Sequence, residues 1–254
     1  MNILALGDVV GKEAVAYLSG RLRSIIREYK IDFTVINAEN SATSNGIDKD
    51  SAVKLLDAGA DCLTTGNHVF KVSSFYDYLE NSHTVIRPLN YPKRCPGKGY
   101  TVLDCGFERV LVINVAGRTG LDPADCPFDA IDSVLEKEKG NYTFSVIDVH
   151  AEATSEKAAI ANYFDGRVNA VFGTHTHVQT ADARTLPGGT AFITDLGMCG
   201  PVDSILGVRK DIIIDRFRTN MPKRFEIASG EIKGNGAVFT VFKNQPAKVK
   251  SINF

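Results

Sequence analysis

Four of the five histidines fall in three short motifs at the ends of apolar runs. The densest is Gly173-Thr174-His175-Thr176-His177, which follows Val168-Asn169-Ala170-Val171-Phe172, a run that reads as a buried strand. Two imidazoles two residues apart on a tight Gly/Thr turn can aim at one point, which suits a metal ion better than a hydrophobic core. Gly66-Asn67-His68 and Asp148-Val149-His150 follow apolar strand-like runs as well. Two carboxylates are placed alike: Asp8 after Ile3–Leu6 and Gly7, and Glu39-Asn40 after Thr34-Val35-Ile36-Asn37-Ala38.

Taken singly, these residues have plainer readings. Asp8 serves equally as a helix N-cap or as a ligand. Its surroundings, Gly7 to Glu13, fail as a phosphate loop: the glycine spacing is one residue short, and Glu13 replaces the Ser/Thr. Glu39 at a buried strand end needs a compensating partner, either a cation or a Lys/Arg salt bridge. Asn40 and Asn67 fit turns, and a lone His150 fits a satisfied core histidine. His83 sits in a polar turn and takes no role. Pooled, the set is three imidazoles (His150, His175, His177), two carboxylates (Asp8, Glu39) and two amide oxygens (Asn40, Asn67). Mixed N/O ligation suits manganese, iron or zinc rather than magnesium or calcium alone. The set exceeds the needs of one tetrahedral ion. It suits two ions about 3.5–4 Å apart, bridged by one carboxylate and one hydroxide, an arrangement that generates a nucleophile and clamps a phosphoryl group.

The elements that must carry these residues follow from periodicity. Ile3–Leu6, Phe33–Asn37 and Asp61–Thr65 read as strands, with helices over 13–29 and 49–58. Gly59 stops the second helix. A short helix over 72–80 and a strand over 84–87 come next, then a loop from Pro88 to Gly99. Tyr100–Cys105 and Val110–Val115 form a strand pair, and a loop from Gly117 to Pro127 precedes a helix over 128–139. Thr143–Val149 delivers His150, a helix spans 155–164, and the 168–172 strand delivers His175 and His177. Thr190–Asp195 is a further strand, residues 197–201 a turn, and 205–218 a helix. Runs near 224–228, 237–242 and 247–252 read as antiparallel strands. Alternating β and α predicts a mostly parallel sheet in the first half, hairpin-like pairs in the second, and two packed sheets with helices outside. Every motif then lies beyond a strand's carboxyl end, where polar sites form in such folds. Pocket walls are expected from the 88–99, 117–127 and 197–205 loops.

Bulk properties set the frame. The 254 residues suffice for one domain, 1–254, with a small excursion around 200–230. With 44% hydrophobic and 23% charged residues the chain is globular in composition. A net charge of −1 provides no bulk field for long nucleic acid or an anionic membrane. Five cysteines without a CxxC argue against a disulfide framework and for reduced thiols. No run reaches a membrane span, and the first residues lack a signal peptide's basic region, so a cytoplasmic location is expected.

The ordered blocks Gly7-Asp8, Gly66-Asn67-His68, His150 and Gly173-Thr174-His175-Thr176-His177 resemble the calcineurin-like metallophosphoesterase superfamily. Three departures stand out. Val10 replaces the histidine of the first block, Glu39-Asn40 stands where the second block has its bridging Asp, and Thr174 lies between Gly173 and His175. Those departures are themselves similar to the bacterial YmdB-type subgroup of 2′,3′-cyclic-nucleotide 2′-phosphodiesterases. The likeness extends through the block from Asp148 to Lys157 and through Thr194-Asp195-Leu196-Gly197-Met198.

The resemblance implies an α/β fold, a four-layer αββα sandwich of two mixed sheets flanked by helices. It implies two divalent or trivalent ions, iron or manganese. Asp8, Glu39, Asn40 and His177 would hold one, and Glu39, Asn67, His150 and His175 the other, with Glu39 bridging and Asn40 standing in for the imidazole missing at Val10. His68 would be the catalytic acid. The implied substrate is a small 2′,3′-cyclic nucleotide, opened to the 3′-nucleotide by in-line attack of a metal-bridging hydroxide. The same site would also serve a broad phosphomonoesterase, a 3′,5′-cyclic phosphodiesterase or a regulatory scaffold of low turnover. A homo-oligomer is left open.

Overall fold

Ile3, Leu4, Ala5 and Leu6 are all fully buried, so the first strand is covered on both faces. The computed structural model, which describes residues Met1–Phe254, shows what covers it. In chain order the first elements are β1 (Asn2–Leu6), β2 (Asp8–Val9), α1 (Gly11–Glu28), β3 (Phe33–Asn37), α2 (Lys49–Ala58) and β4 (Cys62–Thr64). A 3-10 turn at Ser73–Phe75 leads into α3 (Tyr76–Asn81), then β5 (Tyr100–Cys105) and β6 (Glu108–Ala116). Next come α4 (Pro127–Lys137), β7 (Phe144–His150), α5 (Thr154–Tyr163) and β8 (Ala170–Thr174). The last third holds β9 (Arg184–Thr185), β10 (Ala191–Ile193), β11 (Met198–Pro201) and α6 (Lys210–Thr219). It closes with β12 (Ile232–Lys233), β13 (Asn235–Thr240) and β14 (Lys248–Asn253).

Two mixed sheets stack face to face. The first has the order β14-β13-β1-β3-β4, with β1, β3 and β4 parallel and β13 and β14 antiparallel. The second has the order β5-β6-β7-β8-β10-β9, parallel from β6 to β10. A period of two divides each strand between layers. On β1, Ile3 and Ala5 join the core between the sheets, where they meet Val112, Val146 and Phe172. Leu4 and Leu6 turn outward to Leu18 and Leu22 of α1 and Leu55 of α2. On the far side Ile113 and Ile147 pack beneath Ile131 of α4 and Ile160 of α5. The result is the αββα sandwich, with three apolar layers between four structural ones.

The main departures from the sequence reading concern short segments. Residues 84–87 form only one bridge, Leu63 to Val85, before Pro88 interrupts the pairing. Residues 197–201 are not merely a turn. Met198–Pro201 forms β11, which pairs with β2 in parallel and with β12 in a small third sheet. The helix expected over 205–218 starts at Lys210, because 205–208 are tied into a bridge between Ile205 and Val208. Residues 224–228 contribute only a bridge at Ile227. Residues 202–231, between β11 and β12, thus carry α6 and an extended strap.

The parallel strands β1, β3, β4, β7 and β8 all end at the same edge of the double sheet. That edge receives every chemical motif.

Candidate metal centre

Asp8, Glu39 and His150 are fully buried, and Asn40 nearly so. The N-cap of α1 is Val10, without a side-chain cap bond, so Asp8 is not a helix cap. Its Oδ2 accepts the His175 backbone N–H at 3.0 Å, while its buried Oδ1 has no hydrogen-bond partner. An orphaned buried carboxylate oxygen calls for a cation. Around it lie His177 Nε2 at 3.9 Å and His150 Nδ1 at 3.8 Å. The Asn40 amide bridges the gap, with Nδ2 at 3.3 Å from His177 Nε2 and 3.0 Å from Glu39 Oε1. The two ends of an amide interchange by a flip, and a cation selects the oxygen.

The second half of the cluster gathers on the other Glu39 oxygen. Oε2 lies 3.2 Å from His150 Nε2, which is 2.9 Å from Asn67 Oδ1 and 3.1 Å from His175 Nδ1. Glu39, His150 and His175 offer ligand atoms all within 4.8 Å of one another. Gly66 is required at the strand end by close approach: a Cβ there would lie 2.2 Å from His150 Nε2 and 2.3 Å from Glu39 Oε2.

The tautomers follow from the outer partners. Thr174 Oγ1 donates to Asp148 Oδ1 at 2.7 Å, so its single proton is used, and it accepts from His150 Nδ1 at 2.9 Å. His150 therefore carries hydrogen on Nδ1 and turns Nε2 inward. His177 Nδ1 donates to the Leu206 carbonyl at 3.0 Å, which turns its Nε2 toward Asp8. His175 pairs its Nε2 with Glu152 Oε2 at 3.0 Å and turns Nδ1 inward. Each imidazole is thus held by an outer partner with its other ring nitrogen facing the centre, the arrangement that a metal-binding histidine needs. His68 differs: its Nδ1 is spent on Glu39 Oε1 at 3.0 Å, and its backbone N–H on Oε2 at 3.1 Å.

The electrostatics agree with this donor set. Burial raises the Asp8 carboxyl, with Glu39 and Asp195 adding to the effect and His177 and His150 opposing it. Burial acts to raise Glu39 too, but His150 and His68 outweigh it and hold it well below the usual range. Burial would lower His150, yet Glu39, Asp8 and Asp148 push it up to about 9. His175 is driven down to about 3 by burial and by the neighbouring His150. Asp148 is raised to about 6 by burial, against the bonds it accepts from Thr64, Asn37 and Thr174. Anionic oxygens crowd a site whose imidazoles face inward, and such a field draws cations. The residues present therefore fit a metal pair.

Several supporting residues were not legible as functional. Asp195, fully buried, receives Thr176 N–H at 3.2 Å and Thr176 Oγ1 at 2.8 Å on Oδ2, and Gly197 N–H at 2.8 Å on Oδ1. Fully buried Lys157 neutralises it at 2.6 Å. This pair grips the turn in which His175 and His177 adopt φ of 96° and 64°, a left-handed backbone that costs energy without glycine. One signal was present: Lys157 shares the buried stripe of α5 with Ile160 and Ala161 and, just beyond it, Phe164. A lysine on such a stripe requires a buried partner.

The walls also differ from expectation. A cavity of about 480 Å³ opens over Glu39, Asn40, His68, His175 and His177, and its far wall comes from residues 205–227. The 88–99 and 117–127 loops line a separate cavity of about 310 Å³ beside Asn67, through Tyr91, Cys95 and Asp122.

The model of the YmdB-like protein family matches residues 4–253. A Bacillus subtilis (strain 168) protein described as 2′,3′-cyclic-nucleotide 2′-phosphodiesterase is 43% identical over 250 residues, covering 98% of this chain and 95% of the relative. A crystal structure of a hypothetical protein from Thermus thermophilus is 41% identical with a TM-score of 0.94, covering 100% of this chain and 99% of that one. A Mycoplasma pneumoniae structure described as a novel phosphatase is 30% identical with a TM-score of 0.93, covering 100% and 93%. With the motifs gathered at one edge of the sandwich and the match running almost end to end, the chain belongs to the YmdB-like family.

Proposed function

We propose that the chain is a two-metal phosphodiesterase that opens 2′,3′-cyclic nucleotides to 3′-nucleotides. The observation that carries this reading is the inward set of ligating nitrogens around Glu39, whose two oxygens face two separate donor groups. Asp8, Glu39, Asn40 and His177 would hold one ion, and Glu39, Asn67, His150 and His175 the other. Nitrogen and oxygen donors without a thiolate suit iron or manganese. When bound, such a pair supplies Lewis acidity toward phosphoryl oxygens and lowers the pKa of water. The choice of a 2′,3′-cyclic substrate rests on the Bacillus subtilis relative.

The protein's own part in the reaction is orientation and proton transfer. In the hydrolysis a water oxygen bonds to phosphorus, the P–O2′ bond breaks, and O2′ takes a proton. His68 lines the cavity, and Glu39 fixes its ring by receiving Nδ1–H, which leaves Nε2 for the departing oxygen. A positioned acid at a poor leaving group contributes about 10²–10⁴-fold. His68→Ala is expected to lose that factor in kcat while retaining metal content measured by plasma mass spectrometry. Full activity in this variant would remove His68 as the acid. Parallel assays with 2′,3′-cAMP, 3′,5′-cAMP and p-nitrophenyl phosphate test the substrate. Faster turnover of either of the latter two would replace the 2′,3′-cyclic assignment. The same proposal places the reaction in the cytoplasm, and no helix is long and apolar enough to cross a membrane.

A further inference from the structure

The cavity over the metal-ligand residues has two unlike sides. Its floor is polar, and the wall built by residues 205–227 is apolar apart from Arg216. On that wall Phe217 is 82% exposed and Phe225 40% exposed. The Arg216 guanidinium lies 4.9 Å from the centre of the Phe225 ring. Large rings gathered on one cavity wall are informative, because a contiguous exposed apolar patch marks a binding groove, whereas a single exposed ring such as Phe107 does not. The wall is also held in place. Arg209 Nη1 pairs with Glu226 at 2.7 Å, Arg209 N–H donates to the Glu226 carbonyl at 3.0 Å, and Lys223 pairs with Asp215, so the strap bearing Phe225 is tied to α6 bearing Phe217.

We infer that Phe217, Phe225 and Arg216 form the nucleobase wall of the site, stacking on the base while the cyclic phosphate rests on the floor. This rests on the cyclic-nucleotide reading above. A base in a 2′,3′-cyclic nucleotide is one ribose away from phosphorus, so a ligand anchored on the floor must place its base within the same cavity. Phenylalanine and a guanidinium plane offer faces rather than hydrogen-bond patterns matched to one base edge. The wall therefore accepts all four bases and favours purines, whose rings cover more of it.

The test compares adenosine 2′,3′-cyclic phosphate with methyl ribofuranoside 2′,3′-cyclic phosphate, which has no base. The parent protein should show a KM about tenfold lower for the adenosine compound, the benefit of one stacked base. Phe217→Ala should bring the two KM values together, and Phe217→Tyr should restore the difference. A second readout needs no turnover: 2-aminopurine riboside 3′-phosphate should be quenched on binding to the parent and about tenfold more weakly bound by Phe217→Ala. Equal binding by parent and variant overturns the wall. So does a base dependence that follows Tyr91→Phe in the neighbouring cavity, or a Phe217→Ala effect confined to oligomeric state in sedimentation. If neither cyclic phosphate is opened, the phosphodiesterase reading fails, while the quenching titration still decides the wall.

Discussion

Lys157 is the most revealing residue to replace, because it bonds to Asp195 rather than to a proposed ligand, yet Asp195 secures the turn that carries two of them. Its ammonium is fully buried, 2.6 Å from Asp195. Asp195 in turn fixes Thr176, the residue between His175 and His177, by two hydrogen bonds. Lys157→Met keeps the length and apolar packing of the side chain but leaves the Asp195 charge buried without a counterion. Breaking a buried pair in this way costs about 3–5 kcal/mol. For a chain of this size each kcal/mol lowers Tm by about 2–4 °C, so the expected drop is about 6–20 °C. Adding Asp195→Asn removes the stranded charge and should recover at least half of the lost stability.

Metal affinity should respond differently. The left-handed φ values at His175 and His177 persist only while their surroundings enforce them. Loosening Thr176 should therefore weaken metal binding about 10–100-fold, the range for loss of an outer partner. The double variant should remain weak, since its restored charge balance does not restore the lysine-anchored turn. Chemical denaturation and isothermal titration with Mn²⁺ measure the two effects separately. A Lys157→Met protein with the parent's denaturation midpoint would refute the buried-pair argument. One that is destabilised but binds Mn²⁺ like the parent would confine the pair to the fold.

Other residues give independent checks. Thr174→Val removes the hydroxyl that fixes the His150 tautomer, and Mn²⁺ affinity by titration should fall about 10–100-fold with little change in fold by circular dichroism. Gly66→Ala forces a methyl group against His150 and Glu39, so the purified protein should retain little metal, and normal metal content would show that the strand end yields. Asp182 tests pH dependence. Burial raises its carboxyl, but bonds from Thr180 and Thr194 outweigh this and hold it below the usual value. Its stabilisation is complete above the unfolded pKa of about 3.9 and is lost as pH falls through the folded value. Asp182→Asn should cost about 1–2 kcal/mol at pH 7, and urea midpoints of parent and variant should converge in acid.

The clustering of the candidate residues was legible because they stand at the ends of strongly apolar runs, where a period of two and Gly-containing turns mark the boundary. Phe33–Asn37 and Lys49–Ala58 match their expected limits for the same reason, with Asp48 capping the helix through Ser51 N–H and Gly59 ending it at a φ of 120°. What escaped were short segments whose state is decided by long-range pairing. β11 looks like a turn because its glycine and proline are local breakers, yet Met198 and Cys199 pair with β2, and Gly200 and Pro201 with β12. The 84–87 run has strand propensity but one bridging partner. Lys157 and Asp195 lie in separate elements, and nothing local to either announces the other. The pocket wall escaped for a related reason: 205–227 is held by isolated bridges, Ile205 to Val208 and Val208 to Ile227, the second spanning α6.

The departure at Val10 shows how the same edge would accommodate the proposed donor set. Val10 pairs with Asn40 in a parallel bridge, and Gly11 N–H donates to the Asn40 carbonyl at 2.9 Å. The backbone thereby brings Asn40 beside the end of β2, and its side chain lies 3.3 Å from His177. Val10 is nearly buried and packs against the 200–207 segment, where a Cβ on Gly207 would meet its Cγ1 at 2.5 Å. An imidazole at that position would displace the backbone next to Leu206, whose carbonyl fixes His177. The apolar residue and the asparagine are therefore one arrangement. Val10 admits the 205–207 bend that orients His177, and the Val10–Asn40 bridge carries an amide into the space beside it. Restoring a histidine at Val10 alone should consequently lower metal affinity rather than raise it. A gain in Mn²⁺ affinity for Val10→His would show that the two positions are independent.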